Sequence, residues 1–233
     1  MRATAVALPI LLALAAFAAF AASASAATVS EVVTGTSRVV TILGDASQDY
    51  LDVELEDPDT PGSDIIVYGT EAITVAMGTT GCAVNLPGEI RCSAPAGFAG
   101  RSRVVFRAYE GDDRLRISPG MEVRFTGGPG DDRLETEPAQ TLPVVATGDA
   151  GDDTFFGGRA ADRLDGGAGA DRLEGFAGDD RLSGGSGEDV LVGGAGRDRL
   201  DCGASRGDRA RADRRDRTVR GCEHVSGRPA RKR

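Results

Sequence analysis

Residues 166–201 read GGAGADRLE GFAGDDRLS GGSGEDVLV GGAGRDRLD when they are written in groups of nine. Aspartate takes the sixth place and leucine the eighth place in each group, and glycines fill most of the early places. Six consecutive copies of this G-G-x-G-x-D-x-L-x pattern begin at Gly148, Gly157, Gly166, Gly175, Gly184 and Gly193. Strict self-similarity at a fixed short period predicts a stacked solenoid and not disordered low-complexity sequence.

Further copies lie upstream at wider spacing. Residues 127–135 are complete, residues 108–116 keep Gly111, Asp113 and Leu115, and residues 44–52 are a degenerate candidate with Asp49 and Leu51. The starts at 108, 127 and 148 are 19 and 21 residues apart, close to two nonapeptides. We therefore expect one glycine loop per coil in this early part and two per coil later.

Each nonapeptide divides into a loop of six residues and a short strand of three. Two nonapeptides make one coil, and coils stack about 4.8 Å apart into two parallel sheets with the leucines inside. The predicted fold is all-β, a parallel β-helix or β-roll over residues 108–201. Residues 27–107 contain β-branched runs at 39–43, 51–55, 64–68, 72–76 and 103–107 and are expected to form an irregular β-helix. A separate β-sandwich is the alternative for that region.

Stacking also places the sixth-position aspartates in columns, each about 5 Å from the next. Like charges at that spacing repel, and a hard divalent cation relieves the repulsion. Calcium accepts six to eight oxygens from carboxylates and carbonyls, whereas magnesium requires a tight octahedron and transition metals prefer His or Cys. The pattern therefore predicts several calcium ions.

The repeats resemble the glycine-rich nonapeptides of RTX (repeats-in-toxin), or hemolysin-type, calcium-binding proteins. That resemblance implies a right-handed β-roll, with calcium held between stacked loops by the sixth-position aspartates and by loop carbonyls. The aspartates concerned are Asp113, Asp132, Asp153, Asp162, Asp171, Asp180, Asp189 and Asp198. The loop glycines concerned are Gly128, Gly130, Gly151, Gly167, Gly169, Gly178, Gly185, Gly187, Gly194 and Gly196.

Two letters depart from the pattern in the column of loops that begin at Gly157, Gly175 and Gly193. Ala160 replaces the fourth-position glycine and Phe176 the second-position glycine. Because side chains penalise positive φ, we expect weaker sites in this column. The strongest site is expected between the loops that begin at Gly166 and Gly184.

The ends of the chain predict export and a capped solenoid. Residues 1–26 combine Arg2, an apolar Ala/Leu/Phe stretch and a small-residue cleavage pattern at 24–26, which predicts a signal peptide and a secreted protein. An uncleaved membrane anchor is the alternative, but we expect no stable membrane span after cleavage. Residues 202–225 are interpreted as a cap and residues 226–233 as a basic disordered tail.

Four cysteines follow the predicted cleavage site, which favours disulfides in an exported chain. Local pairing, Cys82 with Cys92 and Cys202 with Cys222, is preferred among the three connectivities. A zinc site is disfavoured, since no CxxC spacing occurs and only His224 could assist.

The functional interpretation is a secreted calcium-binding protein with a structural or extracellular interaction role. No catalytic residue is predicted, because the single histidine lies in the basic tail and the aspartates recur as columns. A polysaccharide-binding adhesin or a polysaccharide lyase or epimerase is the alternative. Seventh-position arginines, such as Arg172 and Arg181, are expected to face solvent beside ninth-position acids and to form a mixed-sign surface. A charged surface that binds an extracellular glycan or a cell surface is the alternative. The net charge of −9 disfavours binding to nucleic acid, which is itself negatively charged.

Overall fold

The computed structural model describes residues 27–34, 37–44, 50–55, 65–69, 73–75, 82–86, 89–92 and 101–227. The predicted signal peptide at 1–26, Asp49 and the last six residues, 228–233, lie outside the described residues. The strands are, in chain order, β1 (Ala27–Thr34), β2 (Ser37–Leu43), β3 (Tyr50–Leu55), β4 (Ile65–Gly69), β5 (Ile73–Val75), β6 (Cys82–Leu86), β7 (Glu89–Cys92), β8 (Arg101–Arg107), β9 (Arg114–Ile117), β10 (Glu122–Pro129), β11 (Arg133–Thr136), β12 (Val144–Ala150), β13 (Thr154–Gly158), β14 (Arg163–Ala168), β15 (Arg172–Phe176), β16 (Arg181–Ser186), β17 (Val190–Val192), β18 (Arg199–Gly203), β19 (Arg209–Arg211), β20 (Thr218–Arg220) and β21 (His224–Ser226).

Successive strands alternate between two sheets. Sheet A has the order β20-β18-β16-β14-β12-β10-β8-β2-β1-β5, and sheet B has the order β21-β19-β17-β15-β13-β11-β9-β3-β4-β7-β6. From β8 onward every neighbouring pair within a sheet is parallel and one coil apart. The predicted all-β parallel solenoid is confirmed, and the described residues contain no helix.

The core is a thin double ladder of apolar side chains between the sheets. Leu164, Leu182 and Leu200 align on sheet A, and Leu173 and Leu191 align on sheet B, all essentially inaccessible to solvent. Aromatic rings replace leucine in the earlier coils, where Phe125 lies between Phe106 and Phe155 with ring centroids 5.6 and 5.4 Å apart. Each buried leucine or phenylalanine contributes about 1.5–3 kcal/mol, so the eighth-position apolar residue is the main hydrophobic source of stability.

The N-terminal part joins the same two sheets. β2 pairs in parallel with β8, and β3 pairs in parallel with β9, which gives one further coil. The remaining strands are mostly antiparallel additions: β1 pairs with β2, while β4, β7 and β6 extend sheet B. Cys82 lies opposite Cys92 in the β6–β7 register, where the local disulfide is predicted.

The C-terminal segment that was interpreted as a cap adds β19, β20 and β21 to the sheets. The predicted Cys202–Cys222 disulfide is present, with a Cα–Cα distance of 5.1 Å. It ties the end of β18 to the residues just after β20. Closing a loop of this length is worth about 3 kcal/mol in the chain-entropy model.

A search of the described residues finds no helix that is both long and apolar enough to span a membrane.

Candidate metal centre

The glycine loops stack in two columns because the strands alternate between the sheets. The long column joins sheet A to sheet B and is defined by its aspartates, Asp113, Asp132, Asp153, Asp171, Asp189 and Asp208. The short column joins sheet B to sheet A and is defined by Asp162, Asp180, Asp198 and Asp216. All of these side chains are at most 6% exposed. The spacing of the repeats thus brings the predicted aspartates together in these two columns.

One oxygen of each carboxylate is fixed by the neighbouring coil. The backbone N–H of each aspartate donates to Oδ1 of the aspartate one coil later, as in Asp153 to Asp171 at 2.9 Å and Asp171 to Asp189 at 3.0 Å. The short column repeats this bond from Asp162 to Asp180 and from Asp180 to Asp198. This bond explains why aspartate occupies the sixth position. The longer side chain of glutamate would not place its oxygen at the same point relative to this amide.

The other oxygen has no protein donor in most of these residues. Oδ2 is buried and without a hydrogen-bond partner in the aspartates Asp132, Asp153, Asp171, Asp180, Asp189, Asp198 and Asp208. An unpaired buried carboxylate oxygen is costly, because desolvation is not repaid by any donor. These seven oxygens therefore mark where a cation fits.

Backbone carbonyls border the same space. A Cβ placed on Gly148 would lie 1.8 Å from Oδ2 of Asp153 and 2.4 Å from the carbonyl oxygen of Gly166 in the next coil. At Gly175 the corresponding distances are 2.3 Å to Oδ2 of Asp180 and 2.8 Å to the carbonyl oxygen of Gly193. First-position glycine is required since any side chain would fill the space between these oxygens.

The donor set consists of hard oxygens. Within the described part of the chain, no three His, Cys, Asp or Glu side chains form a cluster that could hold a metal by themselves. Each space instead combines a carboxylate oxygen with loop carbonyls. This mixture suits calcium, which accepts irregular oxygen coordination, better than magnesium or a transition metal.

Burial raises the pKa above the ordinary value of 3.8 in seven of these aspartates: Asp132, Asp153, Asp162, Asp171, Asp180, Asp189 and Asp198. Desolvation is the largest cause in each, and neighbouring carboxylates raise the pKa further in both columns, as at Asp153 and Asp180. The pKa rises to about 7 for Asp132, about 8 for Asp153 and about 7 for Asp180. It rises to about 6 for Asp171 and Asp198. Without a cation, the fold therefore favours the protonated carboxyl groups.

The raised pKa values predict opposite effects of pH on the metal-free and metal-bound chain. The metal-free fold binds more protons than the unfolded chain, so its stability is present at low pH and is lost as pH rises through about 6–8. Calcium competes with these protons, so its apparent affinity should rise across the same window. Circular dichroism of calcium-stripped protein at pH 5 and pH 8 measures the first effect, with calcium-saturated protein as control. Metal-free β structure that increases with pH would contradict it.

Close contact between coils explains the fourth-position glycine. Gly151 has φ 132°, and a Cβ there would lie 2.0 Å from the carbonyl oxygen of Gly130 in the preceding coil. Positive φ alone does not require glycine at the second position, since Tyr109, Asp149 and Phe176 adopt φ of 65–79° there. Phe176 also packs against Phe156, with ring centroids 6.1 Å apart.

Ala160, which replaces the fourth-position glycine, does not suffer the penalty of positive φ that the sequence predicts. Ala160 does not adopt the positive φ, and the loop that contains it turns another way. Its neighbour Gly158 donates its N–H to Oδ2 of Asp162 at 2.7 Å, while Val144 donates to Oδ1. Asp162 therefore has protein donors on both oxygens, and the geometry gives it no open oxygen for a cation.

Sequence reasoning missed three buried polar residues that complete the columns. Asp208 follows an inserted residue, Gly207, and precedes Ala210 where the other repeats have leucine. Its signal is the short G-D-x-A string, which keeps the order of the pattern but not its spacing. Asp216 ends the short column, where its Oδ2 accepts the N–H of Asp213. Gln140 precedes the short column, and its side chain bonds Gly120 N–H and the carbonyl of Met121.

The seventh-position arginines are divided between the two sheets. Arg172 lies on sheet B and Arg181 on sheet A, because successive nonapeptides contribute to different sheets. The arginines therefore form two separate outer surfaces. His224, the single histidine, is exposed in β21.

Residues 147–175 and 174–205 match the family model of the RTX calcium-binding nonapeptide repeat, a model of four copies. The match confirms the resemblance over the glycine loops that form most of the two columns. It leaves out the loop that contains Asp132 and the loop that ends at Asp208. No curated protein and no solved structure matches the chain.

Proposed function

We propose that this chain is a secreted calcium-binding protein in which the ions hold the coils of the solenoid together. The observation that carries the proposal is the set of seven buried Oδ2 atoms to which no protein group donates a hydrogen bond. A family match to a calcium-binding repeat over 147–205 supports the same ion. Calcium would supply the positive charge that balances the negative charge of each buried carboxylate.

The ligands proposed for the long column are Oδ2 of Asp132, Asp153, Asp171, Asp189 and Asp208, with loop carbonyls beside them. Asp113 heads this column, and its backbone N–H bonds Oδ1 of Asp132. In the short column only Asp180 and Asp198 offer an open oxygen. Asp162 stays outside the proposed set, since both of its carboxylate oxygens accept hydrogen bonds from backbone N–H groups.

The proposed role is structural. Each coil contacts only its neighbours, so stability accumulates along the stack and each bound ion reinforces one interface. Extracellular calcium would then fold the exported chain, since each ion bound only to the folded state adds RT ln(1 + [L]/Kd) to stability. Export rests on the predicted signal peptide at 1–26. The Cys202–Cys222 disulfide fits an oxidising compartment.

Isothermal titration of the calcium-stripped chain with calcium and with magnesium tests the proposal. We expect several calcium ions per chain and much weaker binding of magnesium, because the loops offer an irregular oxygen cage. Absence of calcium binding at pH 8, above the pKa of about 6–7 of Asp132, Asp171, Asp180 and Asp198, would reject it.

A further inference from the structure

Sheet A carries a row of arginines that sheet B does not reproduce. Arg163 pairs in register with Arg181, and Arg181 with Arg199, so three guanidinium groups are borne on adjacent strands β14, β16 and β18. All three side chains are exposed. Neighbouring parallel strands lie about 4.8 Å apart, which sets the spacing of the row along the solenoid axis.

These three arginines form no ion pair with any residue that the structure describes. On sheet B, by contrast, Glu135 pairs with both Arg114 and Arg133, and Arg172 pairs with Glu174 at 3.1 Å. Other arginines of sheet A are also paired, Arg103 with Glu122 and Arg220 with Asp201, whereas the row of Arg163, Arg181 and Arg199 keeps its positive charge. Like charges stacked on adjacent strands destabilise a sheet, so the row has a cost that an anionic partner would remove.

A second row of polar side chains runs beside the arginines. Two positions further along the same strands, sheet A presents Asp165, Ser183 and Asp201 in register, and Thr147 precedes them on β12. These side chains are partly exposed and offer hydroxyl and carboxylate groups. The surface therefore alternates one cationic group with one hydrogen-bonding group on each coil.

We propose that this surface binds a linear acidic polysaccharide that has one carboxylate per sugar residue and lies along the solenoid axis. Each guanidinium binds a carboxylate through two parallel hydrogen bonds, a geometry that arginine provides and lysine does not. The adjacent Asp, Ser and Thr side chains bind sugar hydroxyls.

Nucleic acid fits this surface less well. Single-stranded nucleic acid is held by aromatic side chains on which bases stack, and the outward positions of β14, β16 and β18 are Arg, Asp and Ser. Sugar hydroxyls, in contrast, can donate hydrogen bonds to the carboxylate of Asp165 and exchange hydrogen bonds with the hydroxyl of Ser183.

The row exists only in stacked coils, so this inference rests on the calcium-dependent fold proposed above. Binding is measured by titrating the calcium-saturated full chain with a hexamer of galacturonic acid. The fully methyl-esterified hexamer is the uncharged control, and a single-stranded oligonucleotide is the polyanion control. We expect the acid hexamer to bind, the ester to bind at least tenfold more weakly, and affinity to fall with salt. Equal binding of ester or oligonucleotide would overturn the proposal.

The variant Arg163→Gln, Arg181→Gln, Arg199→Gln removes the row. The matched control, Arg116→Gln, Arg209→Gln, Arg211→Gln, removes three exposed arginines of sheet B that are not adjacent in register. We expect about tenfold weaker binding for the sheet A variant, from three exposed ion pairs acting together, and no change for the control. Unchanged binding of the sheet A variant contradicts the proposal. Circular dichroism in calcium separates the two proposals: an unfolded wild-type chain rejects calcium-dependent folding, whereas a folded chain without binding rejects the row.

Discussion

Removal of calcium with EGTA at pH 8 is expected to unfold the repeat solenoid, at least over residues 148–201. At this pH Asp132, Asp171, Asp180 and Asp198, whose pKa values are about 6–7, would be mostly ionised, and each has a buried Oδ2 without a donor. An ion present at 100 times its Kd contributes about 2.7 kcal/mol, while small domains have net stabilities of about 5–15 kcal/mol. The loss of several ions therefore exceeds the stability that the thin leucine ladder can retain.

Far-UV circular dichroism during calcium titration measures this unfolding. The β signal should disappear in EGTA and return on adding calcium, and magnesium at the same concentration is the control. Acidification should partly replace calcium, because protonation also removes the buried charge. A spectrum and melting temperature that are the same in EGTA and in calcium would show that the ions do not stabilise the fold.

Replacement of Asp171 is expected to remove a calcium ion, whereas the same replacement of Asp162 is not. In Asp171→Asn the side-chain oxygen can still accept the N–H of Asp153, but an amide group replaces the open Oδ2. In Asp162→Asn both original oxygens already had protein donors, Val144 and Gly158. The two variants have the same chemistry and differ only in the environment of the second oxygen.

Calorimetric stoichiometry and thermal melts with and without calcium distinguish the two variants. Asp171→Asn should bind fewer ions and lose about 3 kcal/mol of calcium-dependent stability at a hundredfold excess over Kd. Asp162→Asn should keep the ion count and lose a similar amount of stability with and without calcium, since its new N–H groups face Gly158 N–H. If both variants lost the same number of ions, the assignment of open oxygens would be wrong.

The nine-residue period carried most of the information about fold and site. The period predicted that Leu164, Leu173 and the later leucines lie in the core and that the aspartates align in columns, because a fixed repeat allows only one stacking register. Because the two sheets alternate along the chain, the same period places the seventh-position arginines on two separate outer surfaces.

Other features depend on the path of the backbone outside the regular repeats, which the nine-residue pattern does not predict. The donor to Oδ2 of Asp162 is Gly158, and the donor to Oδ1 is Val144, which follows the irregular segment 137–143. Asp208 was missed because one inserted residue shifts it out of the period. The antiparallel strands β4, β6 and β7 follow from long-range pairing within sheet B, for which alternating residues give strand positions but no partners.

A crystal structure of the calcium-saturated chain, with an anomalous difference map collected at long wavelength, tests the central claim most directly. The account predicts peaks next to Oδ2 of Asp132, Asp153, Asp171, Asp180, Asp189, Asp198 and Asp208, and none next to Asp162. Loops that show no anomalous peak at these seven oxygens, in crystals grown with calcium at pH 8, would contradict it.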